Sequence, residues 1–200
     1  MKEKHPLFHC KVHNRNGYYF THKDLITDHI KYWEIYLSKY YGNECNLLEI
    51  GSLQGNSAIY WLNHLLTHDN STLTCIEPFG RTKSVPDKKL FMENINKTGQ
   101  IDKLTHIPLT SDLAFEILTT LYDVIYIDGS HEADVVLRDC ISSFKFCKPN
   151  GIIIMDDYKM PRVFATDKIG PKPSIDKFLE THLGKIEVLY KGYQVIIKKL

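Results

Sequence analysis

The 200 residues are 43% hydrophobic with a formal net charge of +1. That is enough apolar material for one packed domain and too little positive charge for nucleic acid to be the expected main partner. Five cysteines (Cys10, Cys45, Cys75, Cys140, Cys147) are odd in number, scattered and without a CxxC pair, which argues against a disulfide framework and for free thiols in a reducing compartment. No run approaches ~18 apolar residues and "MKEKHPLFHCKVH" has no apolar signal core, so a soluble cytoplasmic protein with no membrane role is expected.

In chain order, His5, His9, Cys10 and His13 invite a zinc reading, but their spacing fits no full ligand set and the segment reads as a frayed terminus. Ile26, Ile30, Trp33, Leu37 and Tyr40 then recur at helical spacing, an amphipathic helix docking on the domain. "NLLEI" (46–50) is a first strand ending at Gly51. A helix carrying Ile59, Leu62, Leu65 and Leu66 comes next, then "LTCIE" (73–77), a second strand stopped by Pro78. A helix over 86–99 opens on Pro86 and closes on Gly99. "KLTHIPL" (103–109) is a weaker strand, and 111–121 is a short helix with Ser111 as its expected cap. "YDVIYID" (122–128), a helix over 131–147 and "GIIIMDD" (151–157) complete the alternation. Strands and helices in this rhythm predict a parallel sheet covered on both faces. Residues 158–174 read as a lid-like loop, "SIDKFLETHLG" as a helix capped by its serine, and "KIEVLYKGYQVIIKK" as a closing hairpin that sets its last strand antiparallel.

In an open parallel sheet, ligands bind beyond the carboxyl ends of the strands. The first strand ends "LEIGSLQGNS", with Gly51 and Gly55 present but Leu53 and Asn56 where a dinucleotide turn needs glycine. Glu49, just upstream, would repel a pyrophosphate and suits a cation such as S-adenosylmethionine (SAM). Glu77 ends the second strand 22 residues past Gly55, where a carboxylate can accept from both ribose hydroxyls. A plain tight turn with an ordinary surface acid explains these residues equally well.

"LLEIGSLQGNS", "CIEP", "TSDL", "YIDGSH" and "IIIMDDY" occur in the order and spacing of class I SAM-dependent methyltransferases. The chain most resembles the type-24 methyltransferase group, and it is similar to metal-dependent O-methyltransferases acting on catechols and sugars. The resemblance covers residues 22 to 200. It implies an α/β Rossmann-like three-layer sandwich, with a mostly parallel seven-stranded sheet in the order 3-2-1-4-5-7-6 and an antiparallel carboxy-terminal hairpin. It also implies that Glu49 and Gly51 meet the methionine end of SAM, that Ser52, Gly55 and Ser57 shape the turn, that Glu77 holds the ribose, and that Ser111 lies beside the adenine.

In that topology the fourth and fifth strands are neighbours, so Asp128, Asp156 and Asp157 meet on one rim, with Asp128 also near the cofactor. Three carboxylates so close stay ionised only with a cation among them, and an all-oxygen set suits Mg²⁺, with Mn²⁺ or Ca²⁺ as alternatives. In the sugar O-methyltransferases that the chain resembles, a histidine at the offset of His131 is the general base. A cation lowers the pKa of an alcohol and an imidazole takes its proton. The bland reading is a strand-to-helix turn capped by Ser130, with solvated acids nearby.

Taken together, the expectation is one domain over residues 1–200: a helical segment (1–45), a SAM-binding core (46–157), a lid-like loop (158–174), and a helix with the closing hairpin (175–200). Its reaction would be metal-assisted methylation of a hydroxyl on a small molecule or a sugar. Three rivals stand beside it: a metal-independent methyltransferase, a hydroxylase-like relative, and a non-catalytic SAM-binding module.

Overall fold

A computed structural model of the protein describes residues 2–4, 11–80, 87–160 and 170–200. Its sheet has seven strands. β4 (Asn46–Ile50), β5 (Thr72–Ile76), β6 (Leu104–Ile107), β7 (Tyr122–Ile127) and β8 (Cys147–Met155) run parallel, and β9 (Ile186–Lys191) with β10 (Val195–Lys199) forms the hairpin. The order is β6-β5-β4-β7-β8-β10-β9, with β10 antiparallel to β8. This is the expected 3-2-1-4-5-7-6 sequence.

Alternation along the strands builds two cores. Leu47, Val124, Tyr126, Ile152 and Ile154 enter one layer with Trp33 and Trp61. Leu48, Ile125, Ile127, Ile153 and Met155 enter the other with Phe178. The first layer is covered by α1 (Thr27–Tyr36), α2 (Asn56–Tyr60) and α3 (Asp87–Lys97), the second by α4 (Ser111–Ile117), α5 (Ala133–Phe146) and α6 (Pro171–Thr181). β4 and β7 are apolar almost throughout because both of their faces are buried.

The elements depart from expectation at three places. First, the amino-terminal segment is a three-stranded antiparallel sheet of β1 (Lys2–Lys4), β2 (Lys11–Arg15) and β3 (Tyr18–Phe20), not a frayed end. Asn94 of α3 anchors it: its Oδ1 accepts from Tyr19 N at 2.9 Å, and its Nδ2 donates to Tyr19 O at 2.8 Å and to Gln54 O at 2.9 Å. His13 is a strand residue paired with Phe20 and Lys2, while His5, His9 and Cys10 lie outside the described residues. Second, α2 gives way at Trp61 to a π-helical turn over Trp61–Leu65. Third, the caps differ. Thr110, not Ser111, precedes α4. Glu132 precedes α5, and Ser130 Oγ accepts from Glu132 N at 3.1 Å rather than capping the helix. α6 opens at Pro171, so Ser174 is internal and donates to Ala133 O at 2.5 Å. Of the lid-like loop, residues 161–169 lie outside the described residues and 171–174 are helical.

Candidate active site

The turn after β4 demands glycine for two separate reasons. Gly51 has φ +87°, and a Cβ there would lie 2.2 Å from the carbonyl oxygen of Asp128. Gly55 has φ +85°, with a Cβ position 3.2 Å from the Phe91 ring. Any other residue at Gly51 would push β4 and β7 apart at the point where both deliver their terminal residues.

Glu49 does not reach the ligand space. It is fully buried, and its oxygens accept from Ser52 Oγ at 2.9 Å, from Ser57 Oγ, and from the Cys75 thiol at 3.3 Å. Burial pushes its carboxyl up to about 7. Its role is therefore to hold the turn from beneath, through the two serines, rather than to meet a cofactor directly. The alternation of β4 accounts for this, because Glu49 shares its face with the inward-facing Leu47.

Above the turn opens a cavity of about 940 Å³. Gly51, Ser52, Ser57, Glu77, Ser111 and Asp128 all line it, while Gly55 lies behind the turn against Phe91. Glu77 is positioned by two backbone amides, Leu53 N at 2.9 Å and Phe79 N at 2.8 Å. Ser111 starts α4 beside the buried Asp139, whose carboxyl burial raises to about 6.

The acid rim lies on the far side of the same cavity. Asp128, His131 and Asp157 each offer a ligand atom, all within 4.8 Å of one another. Asp157 sits in a left-handed conformation, φ +59°, that turns its carboxylate toward its neighbours. One of its oxygens contacts His131 Nε2 at 2.7 Å and the other accepts from Tyr193 OH at 2.9 Å. Asp156, expected within the metal set, instead backs it. Its carboxylate accepts from Tyr126 OH, from Gln194 Nε2 at 2.9 Å and from Asp157 N at 2.7 Å. Tyr126 OH also lies 3.1 Å from Asp128 Oδ2, so one phenol braces two acids. Burial first, and then the neighbouring carboxylates, hold Asp128 well above the usual range, and the same causes raise Asp156.

Several of these residues escaped the sequence reading. Trp33, read there as packing, is fully buried and also donates its Nε1 to Gln194 Oε1 at 2.8 Å. His29 stacks on Tyr193, with ring centroids 5.4 Å apart. The one available signal was Tyr126, a phenol inside an aliphatic strand two residues before an acid.

Residues 48–158 match the model of the methyltransferase-domain family, more than half of the chain. The chain belongs to that family. This methyltransferase is of the class I, SAM-dependent kind, and its sheet order and glycine turn agree with the assignment. No curated protein sequence matched it. Among solved structures, it is similar to the O-methyltransferase of Bacillus cereus in complex with SAH. That match has 17% identity and a TM-score of 0.68, over 90% of this chain and 84% of the other. It is similar to the O-methyltransferase TomG from Streptomyces achromogenes, in complex with SAM, at 16% identity and TM-score 0.62, over 82% and 76%. It is also similar to an rRNA methylase from Streptococcus thermophilus at 12% identity and TM-score 0.61, over 88% and 99%. Proteins with such different named substrates share this fold, so fold alone does not choose the acceptor. Among the described residues no helix of this methyltransferase is long and apolar enough to cross a membrane.

Proposed function

We propose that this methyltransferase methylates a hydroxyl group of a small molecule, with a divalent cation held by Asp128, His131 and Asp157. The observation that carries the reading is the convergence of those three donors within 4.8 Å on the wall of the cofactor cavity. The donor set fits a cation: two carboxylates supply charge, Tyr193 orients Asp157, Tyr126 orients Asp128, and Gln194 holds Asp156 behind them. One imidazole among the donors favours Mn²⁺ over Mg²⁺ or Ca²⁺, which prefer oxygen throughout. When bound, such an ion lowers the pKa of a hydroxyl beside it. The protein's own contribution is alignment. Glu77 and the glycine turn hold the cationic donor at one wall, and the acid rim holds the acceptor oxygen at the other, in line for displacement.

The contact between His131 Nε2 and Asp157 Oδ2 supports a second reading, without metal. If Nε2–H donates to Asp157, Nδ1 is bare and can take the hydroxyl proton while Asp157 stabilises the imidazolium. Aromatic residues at the cavity mouth suit a ring-bearing acceptor such as a sugar or a phenol: Tyr32 and Tyr190 stack at 4.1 Å, with Tyr193 nearby. The test is release of S-adenosylhomocysteine across an acceptor panel, with chelator and with Mn²⁺ or Mg²⁺ restored. Turnover lost on chelation and regained with Mn²⁺ supports the metal reading. Turnover indifferent to chelator leaves the His131–Asp157 pair as the base. Absence of turnover with every hydroxyl acceptor, alongside normal cofactor binding, would overturn both.

A further inference from the structure

Among the described residues, three histidines line the cavity: His22, His29 and His131. Two of them are already committed. His22 Nδ1 contacts Lys23 O at 2.7 Å, and its Nε2 is buried. His131 turns Nε2 to Asp157 at 2.7 Å and is one of the three donors offered to a cation. The two nitrogens of an imidazole point away from one another, so a ring that aims Nε2 at the rim aims Nδ1 away from an oxygen seated there. With His131 held as a ligand, the proton of the acceptor hydroxyl needs another destination.

His29, in the first turn of α1, is uncommitted. Neither of its ring nitrogens has a hydrogen-bond partner among the described residues, and neither is buried. The ring is nevertheless held in place. It stacks on Tyr193, with centroids 5.4 Å and planes 25° apart, and it leans on Trp33, one turn further along α1, at 6.3 Å. Tyr193 is the phenol whose OH donates to Asp157 Oδ1 at 2.9 Å, so a single aromatic ring separates the imidazole from the acid rim. The Asp156 carboxylate lies within electrostatic range, which gives an imidazolium formed at His29 a counter-charge. An uncommitted imidazole, fixed on the cavity wall beside the rim, has the chemistry that proton removal from an alcohol requires.

We infer that His29 is the general base of the reaction and receives the acceptor's proton during methyl transfer. The acceptor O–H bond breaks and its proton passes to a ring nitrogen of His29. The oxygen's electron pair forms the new O–CH3 bond, and the S–CH3 bond breaks with its pair returning to sulfur, which leaves as the neutral thioether of S-adenosylhomocysteine. The inference rests on the cation reading of the rim, in which His131 is a ligand, and the experiment separates the two. Turnover of the whole chain is measured with Mn²⁺ and with chelator, on the fastest member of a panel of catechols and hexoses. Calorimetry gives the affinities for S-adenosylhomocysteine and for Mn²⁺. His29→Phe keeps a ring against Tyr193 and removes both nitrogens. Its kcat should fall by roughly 10²- to 10⁴-fold, with both affinities within about two-fold of the unaltered protein. Added imidazole should restore turnover in His29→Ala and leave the unaltered protein unchanged. If turnover requires Mn²⁺ and His29→Phe keeps kcat within about three-fold, the cation reading stands and the inference alone falls. A loss of S-adenosylhomocysteine affinity matching the loss of turnover also overturns it. If turnover is indifferent to chelator, the cation reading falls, His131 is free to act as base, and the inference falls with it. Should His29→Phe not fold, His29→Gln is judged by the same criteria.

Discussion

The two walls of the cavity are built differently. The wall built on the glycine turn is local: Gly51, Ser52, Gly55 and Ser57 fall within seven positions, and Glu77 follows the adjacent strand. Its shape is a property of the backbone, set by two left-handed glycines and a buried carboxyl beneath them. The acid wall is assembled from distance. Asp128 and Asp157 come from neighbouring strand ends, Tyr193 and Gln194 from the hairpin turn, and His29 and Trp33 from α1. Its shape is a property of side chains that bond to one another across as many as 161 positions. A backbone wall tolerates almost no substitution at its glycines, whereas a side-chain wall loses function before it loses fold.

That contrast can be broken most forcefully at Gly51. Gly51→Ala should cost about 3 kcal/mol or more of stability, because strain at positive φ adds to a clash with backbone. Urea denaturation measures it, and a loss below about 1 kcal/mol would show that the strand ends can move apart. On the other wall, Asp128→Asn should abolish turnover while S-adenosylhomocysteine affinity and the urea midpoint change little. Comparable losses of turnover and cofactor binding would place Asp128 with the cofactor instead.

Glu49 sharpens the comparison through pH. Its folded carboxyl, near 7, stands above the ordinary value of 4.5. The folded state therefore binds the extra proton, and the stability it brings is complete below about 4.5 and is lost as pH rises through 7. The swing is roughly 3 kcal/mol. Urea stability of the unaltered protein should fall over that window more steeply than that of Glu49→Gln, and parallel profiles would count against a protonated Glu49. The smallest effect is expected at Trp33→Phe, which keeps the packing but strands the Gln194 carbonyl oxygen, at about 1 kcal/mol. If turnover falls further than stability there, the brace behind Asp156 acts on the chemistry.

Much of the fold was legible because buried parallel strands write themselves as continuous apolar runs, and "YDVIYI" and "GIIIM" needed no further context. The amino-terminal sheet was not legible. Its strands are only three to five residues long, the first two are largely polar, and the sheet is stabilised by Asn94 and Gln54 from elsewhere in the chain. The acid rim was foreseen, as acids meeting at the ends of neighbouring strands, but the hydrogen bonds that divide it were not. Which of Asp156 and His131 joins Asp128 and Asp157 depends on Tyr126 and Gln194 claiming Asp156 first. Likewise, that Glu49 is an acid near a glycine turn is plain in the sequence, while its burial comes from strand parity once α2 covers that face.

By itself, then, the order of residues determined the alternation of strands and helices, the glycine positions and the acids at the strand ends, because these depend on local backbone preference and on which faces must avoid water. Only the tertiary structure decided which oxygens of those acids face one another and which side chains brace them from behind. Those outcomes turn on hydrogen bonds between residues far apart in the chain, and spacing along a sequence carries no record of them.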